Sequence, residues 1–350
     1  MMHQLLPLAV FIRPRRHFPP HTNAESGLRM TDSCDYWENQ LSPLFFAFIF
    51  TILGTECVIG IIANGFIIAV NAAEWVRNKA VSTSGRILFS LSISRIALQI
   101  FTMLELTVSS IFPHFYNQVV VYDTLNISSI FLNYCSLWFA AWLSFFYFVK
   151  IANFSYPLFL KLKWRISRWM PWLLWLSVFI SLGYSAFFMK DVFPMYCINT
   201  FFIHSSNSTE KYFTKTNMVN LVLLYNLGIC LPLSVFILAT TLLIASLGKH
   251  TLNMESNATG SRDPSMQAHM GAIKAISYFL TLYIFNAVAV FLYMSHIFDI
   301  TSPWILLCKI IMAGYPAGHS VLLILDNPSL RRAWQRFQHR VHLYLKGQTL

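Results

Sequence analysis

Nine polar side chains stand inside long apolar runs of this chain: Glu56, Asn64, Arg95, Glu105, Asn133, Asn286, Lys309, His319 and Ser320. A central Arg or Lys costs about 2.5 to 3.5 kcal/mol to place in lipid on insertion scales, so each such group predicts a partner or a cavity. Arg95 is the clearest case, because residues 91–98 otherwise surround it with apolar sequence. The chemistry open to these groups is hydrogen-bond exchange between helices. An interhelical polar network either rearranges, and so switches the bundle between states, or clamps it in one arrangement; both readings require satisfied hydrogen bonds. Glu56 reads as a neutral or hydrogen-bonded packing residue before it reads as a ligand contact. Lys309 follows Pro303 by about two turns and either snorkels to the surface or lines a pocket. His319 and Ser320 do not make a base and nucleophile, since adjacent residues on one helix point about 100° apart. Neither a Gly-x-Ser-x-Gly nor a His-Glu-x-x-His pattern is present, and no zinc-ligand spacing. No catalytic, metal or cofactor role is expected.

The elements that must position these groups follow from composition. A chain of 350 residues with 56% hydrophobic and 11% charged residues, and a mean hydropathy of +0.55, lies outside the range of a water-soluble domain. Apolar runs long enough to cross about 30 Å of hydrocarbon as helix recur near 43–70, 87–111, 125–149, 169–189, 217–247, 272–295 and 303–325. A β-barrel would show shorter alternating segments. The expected fold is an all-α membrane protein, a seven-transmembrane helix bundle. A small-solute transporter or channel using the buried charges as a polar path is the competing class, but it predicts inverted repeats or paired broken helices, and neither is visible.

Cations set the expected orientation. Arg77, Lys79 and Arg86 follow the first run; Lys150, Lys161, Lys163, Arg165 and Arg168 follow the third; Lys249, Arg262 and Lys274 follow the fifth; Arg331, Arg332, Arg336, Arg340 and Lys346 follow the seventh. This predicts an extracellular N-terminus, a cytoplasmic C-terminus and a plasma-membrane location. Arg13, Arg15, Arg16 and Arg29 run against that count, although residues 31–42 nearest the first run carry Asp32, Asp35 and Glu38 and no cation. Basic loops explain much of the formal net charge of +11, so nucleic-acid binding is not needed. The run at residues 5–12 lacks the basic flank of a cleaved signal, the first span serves as signal-anchor, and Met30 is an alternative start to Met1. Cys34 and Cys197 are the two cysteines able to meet in an oxidising exterior, as a disulfide or as free thiols. Of the sequons, Asn207 lies in the longest outer loop and is the expected N-glycosylation site.

Beyond the seventh run, Asn327 reads as a helix cap and Pro328 as a first-turn residue. Leu330, Trp334, Phe337, Val341 and Leu345 share one face and Arg331, Arg332, Arg336 and Arg340 surround it, the pattern of an amphipathic C-terminal helix on the inner leaflet and hence a membrane-lipid contact. The organisation expected is an extracellular N-terminal segment 1–42, partly an extension if Met30 begins the chain, a membrane domain 43–325 and a cytoplasmic tail 326–350.

Five motifs in order carry a resemblance: LSISR at 91–95, the segment LWFAAWLSFFYFVKIANFSYPLFLKLKWRI at 137–166, LLIASLGKH at 242–250, DPSMQAHMGAIKAISYFL at 263–280 and YPAGHSVLLI at 315–324. From about residue 42 to its end the chain resembles the bitter taste receptors, the type 2 taste receptor family. That resemblance implies a G-protein-coupled receptor for bitter small molecules, signalling through a gustducin-type heterotrimeric G protein. It further implies that Asn64 and Arg95 are core polar positions of the first two helices, joined by His319 and Ser320 of the seventh in a polar switch network. Tyr147 and Lys150 match a motif at the inner end of the third helix that faces the G protein. Asn133 matches a pocket asparagine, whereas Ser129, Asn286 and Lys309 depart from the family's pocket pattern and make up the rest of the expected ligand-binding set. A cation at Lys309 would favour anionic or phenolic ligands over protonated amines. Homo- or hetero-oligomerisation stays open.

Overall fold

A computed structural model describes residues 43–116, 118–152, 156–188, 210–257, 264–295 and 303–348. Every long element among them is a helix: α1 (Pro43–Asn78), α2 (Thr83–Ile111), α3 (Val119–Ile151), α4 (Pro157–Phe188), α5 (Glu210–Asn257), α6 (Pro264–Met294), α7 (Pro303–Asp326) and α8 (Pro328–Gln348). A single helical turn, Pro113–Tyr116, precedes α3. The chain divides into two compact units, Met1–Ile49 and Phe50–Leu350. Of the first only the opening turns of α1 are described; the rest of α1 and all the later helices belong to the second. Cys34, Cys197, Asn207 and Met30 lie outside the described residues, as does the sequon residue Asn153; Cys57, Cys135, Cys230 and Cys308 are free thiols.

Helices α1 to α7 are each long and apolar enough to cross a membrane, in agreement with the seven runs. Several helix ends reach past the expected runs, among them the end of α1 at Asn78 and the start of α6 at Pro264. Helix α4 starts at Pro157 instead of near 169, so Lys161, Lys163, Arg165 and Arg168 ride on its first turns and not in a loop. Proline suits a first helical position, and Lys and Arg are good helix formers, so the helix outruns its apolar stretch. Lys163 Nζ also donates to the Ala152 carbonyl at the end of α3 over 3.2 Å, answering one of the acceptors a helix C-terminus leaves open. Helix α5 likewise extends past its apolar centre, from Glu210 to Asn257.

Helix α3 is the axis of the bundle. Its span is 61% buried, against 28 to 39% for the other six, and it packs on α2, α4 and α5, while α5 leads to α6 and α6 to α7. Large apolar side chains such as Ile62, Ile100, Trp172, Phe179, Leu238 and Phe285 are exposed on the outside, where lipid would receive them. The interior mixes large apolar side chains such as Ile67, Leu91, Phe236 and Tyr283 with small and polar residues, among them Ser94, Ser136, Ala140, Ala141, Ser181 and Ala239. The small and polar positions let helices approach closely and hydrogen-bond where lipid removes the hydrophobic drive to associate. Gly228 of α5 shows the consequence, because a Cβ there would come within 2.9 Å of the Tyr134 ring on α3. A cross-bundle hydrogen bond adds to the packing of α3 on α4, Trp142 Nε1 donating to Ser177 Oγ over 2.7 Å.

The turn into α8 forms as its sequence predicts. Asn327 Oδ1 accepts from the backbone N–H of Ser329 at 3.0 Å and of Leu330 at 3.4 Å, and Pro328 occupies the first helical position. The apolar side chains of α8 divide into two groups. Leu330 is buried and Trp334 meets Phe66 of α1 edge-on at 5.2 Å, whereas Phe337, Val341, Leu343 and Tyr344 remain exposed.

Candidate ligand cavity and polar network

Arg95 is the hub of the interior. It is fully buried, and its guanidinium donates to Ser136 Oγ of α3 from Nε at 3.3 Å, to His319 Nδ1 and Ser320 Oγ of α7 from Nη1 at 3.0 and 3.1 Å, and to the Tyr315 hydroxyl from Nη2 at 3.3 Å. Ser320 Oγ in turn donates a hydrogen bond to Asn64 Oδ1 of α1 at 2.8 Å, and Asn64 Nδ2 donates to the Gly60 carbonyl at 2.8 Å. The planar fork on α2 therefore joins α3 and α7, and Ser320 carries the network on to α1. Guanidinium nitrogens only donate, so His319 Nδ1 must be an unprotonated acceptor and the ring proton sits on Nε2. The partners are hydroxyls and an imidazole, with the Tyr315 ring also 5.2 Å from the guanidinium carbon, so the charge is held by dipoles and a π face.

The sequence grouped Asn64, Arg95, His319 and Ser320, and the structure brings all four together. It did not find Tyr315, Ser136 or Tyr283. Tyr315 precedes His319 by four residues, one turn on the same face, so helical periodicity carried the signal. Ser136 and Tyr283 carried none, being ordinary residues in apolar runs whose roles arise from how helices are placed. Tyr283 of α6 stacks on Phe236 of α5 with ring centres 4.0 Å apart and meets Tyr315 edge-on at 6.0 Å. Phe279 of α6 lies 4.7 Å from the His319 ring. Helices α5 and α6 thus touch the network through aromatic faces.

At the end of the bundle away from the cation-rich termini lies a cavity of about 140 Å³. Ser129 and Asn133 of α3 and Lys309 of α7 line it, together with Gln99 and Glu105 of α2 and Asn126 of α3. Asn286 does not: it is buried in α6, its Nδ2 has no hydrogen-bond partner, and it is not among the lining residues. Lys309 lines the cavity with Nζ 5.7 Å from the Tyr293 ring and is also exposed. Glu105, whose Oε1 is 3.5 Å from the Tyr116 hydroxyl, gives the same cavity a carboxylate. Ser129 Oγ and both ends of the Gln99 amide are buried without hydrogen-bond partners. Glu56 sits apart from the lining residues, its carboxylate facing Gly314 of α7, where a Cβ would approach within 2.9 Å of Oε1.

Cavity and network share their helices. On α2, Gln99 is one turn from Arg95; on α3, Asn133 is one turn from Ser136; on α7, lining Pro316 follows Tyr315 directly. Pro316 also removes an N–H from the α7 ladder at that level, the usual place for a helix to bend. At the opposite end of α3, Lys150 is exposed with Nζ 6.0 Å from the Phe146 ring, and the Tyr147 hydroxyl faces the side chain of Asn327, the cap of α8.

The family model described as Taste receptor protein (TAS2R) matches residues 42–346. Taste receptor type 2 member 39 of Homo sapiens is 65% identical over 336 residues, which cover 96% of this chain and 99% of that relative. The member 39 receptor of Pan troglodytes is likewise 65% identical over 336 residues, with the same coverage. That of Mus musculus is 53% identical over 320 residues, 91% of this chain and 100% of the relative.

Proposed function

The chain belongs to the taste receptor family, TAS2R, a family of multi-pass membrane receptors and not enzymes, and from that premise we propose how this member works. Bitter small molecules bind in the cavity lined by Ser129, Asn133 and Lys309 and shift the bundle to a state that engages a gustducin-type heterotrimeric G protein. The cavity end faces outside and the cation-rich end faces the cytoplasm of a plasma-membrane receptor, as the distribution of Lys and Arg favours.

One observation carries this reading: the cavity and the Arg95 network lie one turn apart on the same three helices, α2, α3 and α7. A cavity of about 140 Å³ is below the roughly 300 Å³ at which small-molecule pockets begin. A ligand of ordinary size therefore parts these helices as it enters, and parting them stretches the hydrogen bonds below. Discrete rearrangement of a packed polar cluster is the physical form such a switch takes. The agonist need favour the active state only about a hundredfold, roughly 2.7 kcal/mol. Tyr147 and Lys150 then change what the inner face presents, since Tyr147 of α3 faces Asn327 at the start of α8.

Calcium mobilisation in cells carrying a gustducin-type G-protein chimera, read against a panel of bitter compounds, tests the proposal. Agonists are expected whose potency falls in Asn133→Leu and Ser129→Phe receptors at equal surface level. Potencies untouched by both substitutions would place the ligand elsewhere.

A further inference from the structure

A second, larger cavity of about 550 Å³ opens at the cation-rich end among α1, α2, α3 and α4. We propose that it binds one anionic phospholipid, with an acyl chain in the cavity and the phosphate at Arg86. Its wall is apolar, made of Phe89 on α2, Phe139 on α3, and Leu174 and Val178 on α4, and only Arg86, Ser90 and Asn71 break that character. The polar groups are not scattered. Arg86 stands in the first turn of α2 and is exposed, while Asn71 is occupied by its own helix, donating to the Ile67 carbonyl at 2.8 Å. One cation at one end of an apolar trough complements a lipid with an anionic head and an apolar chain.

Neighbouring features fit the same occupant. Trp75, 59% exposed and three residues from the end of α1, lines the cavity where amphipathic tryptophans sit at headgroup level, and Trp175 adds to the apolar wall beside Leu174. Arg168 lies three residues before Pro171, on the stripe of α4 that lines the trough and one turn nearer the basic end. Arg77 and Lys79 follow lining Trp75 in sequence and are both exposed, and Lys79 adopts a positive φ of 52° at the turn between α1 and α2. Glu74 is the carboxylate of this stretch of α1 and is not a lining residue. Basic pockets between transmembrane helices on the cytoplasmic side recognise phosphorylated lipid headgroups by this arrangement.

The placement in the inner leaflet rests on the orientation proposed above, but the test does not. Full-chain receptor in phosphatidylcholine nanodiscs, which expose both leaflets alike, is doped with phosphatidylserine bearing an acyl-chain diazirine, and labelled peptides are mapped. Labelling is expected to concentrate on residues around Trp75, Phe89 and Trp175. Unlabelled phosphatidylserine should displace it and cholesterol should not. Arg86→Gln should lower it about fivefold, the effect of one juxtamembrane cation, and Arg86→Lys should retain it. Labelling spread evenly over the exposed apolar residues, displacement by cholesterol, or indifference to both Arg86 variants would overturn the site. The competition arm needs only the native receptor, so it stands even if a variant fails to fold.

Discussion

Arg95 Nη1 lies 3.0 Å from His319 Nδ1, so a guanidinium on α2 and an imidazole on α7, 224 residues apart in the chain, share one proton. The contact fixes the tautomer of the ring and the position of α7 beside α2. The same nitrogen also serves Ser320 at 3.1 Å, so a small displacement of α7 changes two bonds together.

Arg95→Ala should abolish signalling, surface expression or both. Each buried partner left unsatisfied costs about 1 to 3 kcal/mol, and Ser136, Tyr315, His319 and Ser320 all lose a donor. Arg95→Lys should fail as well, because an ammonium lacks the planar fork. Cell-surface labelling alongside calcium mobilisation measures this; a normal agonist response at normal surface level in the alanine variant would sink the proposed network.

Lys309 and Glu105 line one cavity with opposite charges, which modifies the expectation from Lys309 alone. Lys309→Glu should raise potency of protonated amines and lower that of phenols and carboxylates, and Glu105→Gln should weaken amines. Shifts of about 1 kcal/mol or more, fivefold and upward in potency, are expected for charges meeting within a partly desolvated site. An unchanged ranking of amines against phenols in both variants would show that neither charge meets the ligand.

Asn286→Leu provides the contrasting case. Its amide nitrogen is buried without a partner and the residue is not on the cavity, so removing it should leave thermal stability within about 1 kcal/mol of the parent or raise it. Agonist ranking should not change. A selective loss of one agonist class would place Asn286 against the ligand after all.

Gly228→Val should destabilise the purified receptor by about 1 to 3 kcal/mol through overpacking, because the added carbon meets the Tyr134 ring at 2.9 Å. Gly65→Ala, with nothing within 4 Å of the added carbon, should be neutral or stabilise by up to about 1 kcal/mol. Thermal unfolding in detergent compares the two; equal effects would show that close approach of α5 to α3 is not what the glycine serves.

Tyr147→Phe removes a hydroxyl that faces the cap of α8 and should reduce maximal G-protein activation several-fold while leaving agonist potency within about threefold, since the cavity lies at the far end of α3. Bioluminescence transfer between receptor and G protein reads this directly. A rightward potency shift with full amplitude would mean the residue acts on the ligand side.

Much of this protein was legible in its residues. The seven spans follow from run length against bilayer thickness, the α8 cap from Asn327 and Pro328, and the family from five ordered motifs. The four network residues were visible because each is too polar for its surroundings and so announces a partner. Helix ends were less legible, since α4 and α5 continue beyond hydrocarbon where amphiphilic residues are still good helix formers. Which polar residues meet was decided only in three dimensions. Asn133 and Asn286 look alike along the chain, yet the rotation of α3 puts one on the cavity while the packing of α6 keeps the other off it. Ser136, Tyr283 and Gln99 gained their places the same way. Composition sets how a helix sits in lipid; the face it turns to its neighbours depends on contacts between segments far apart in sequence, and those exist only once the bundle is assembled.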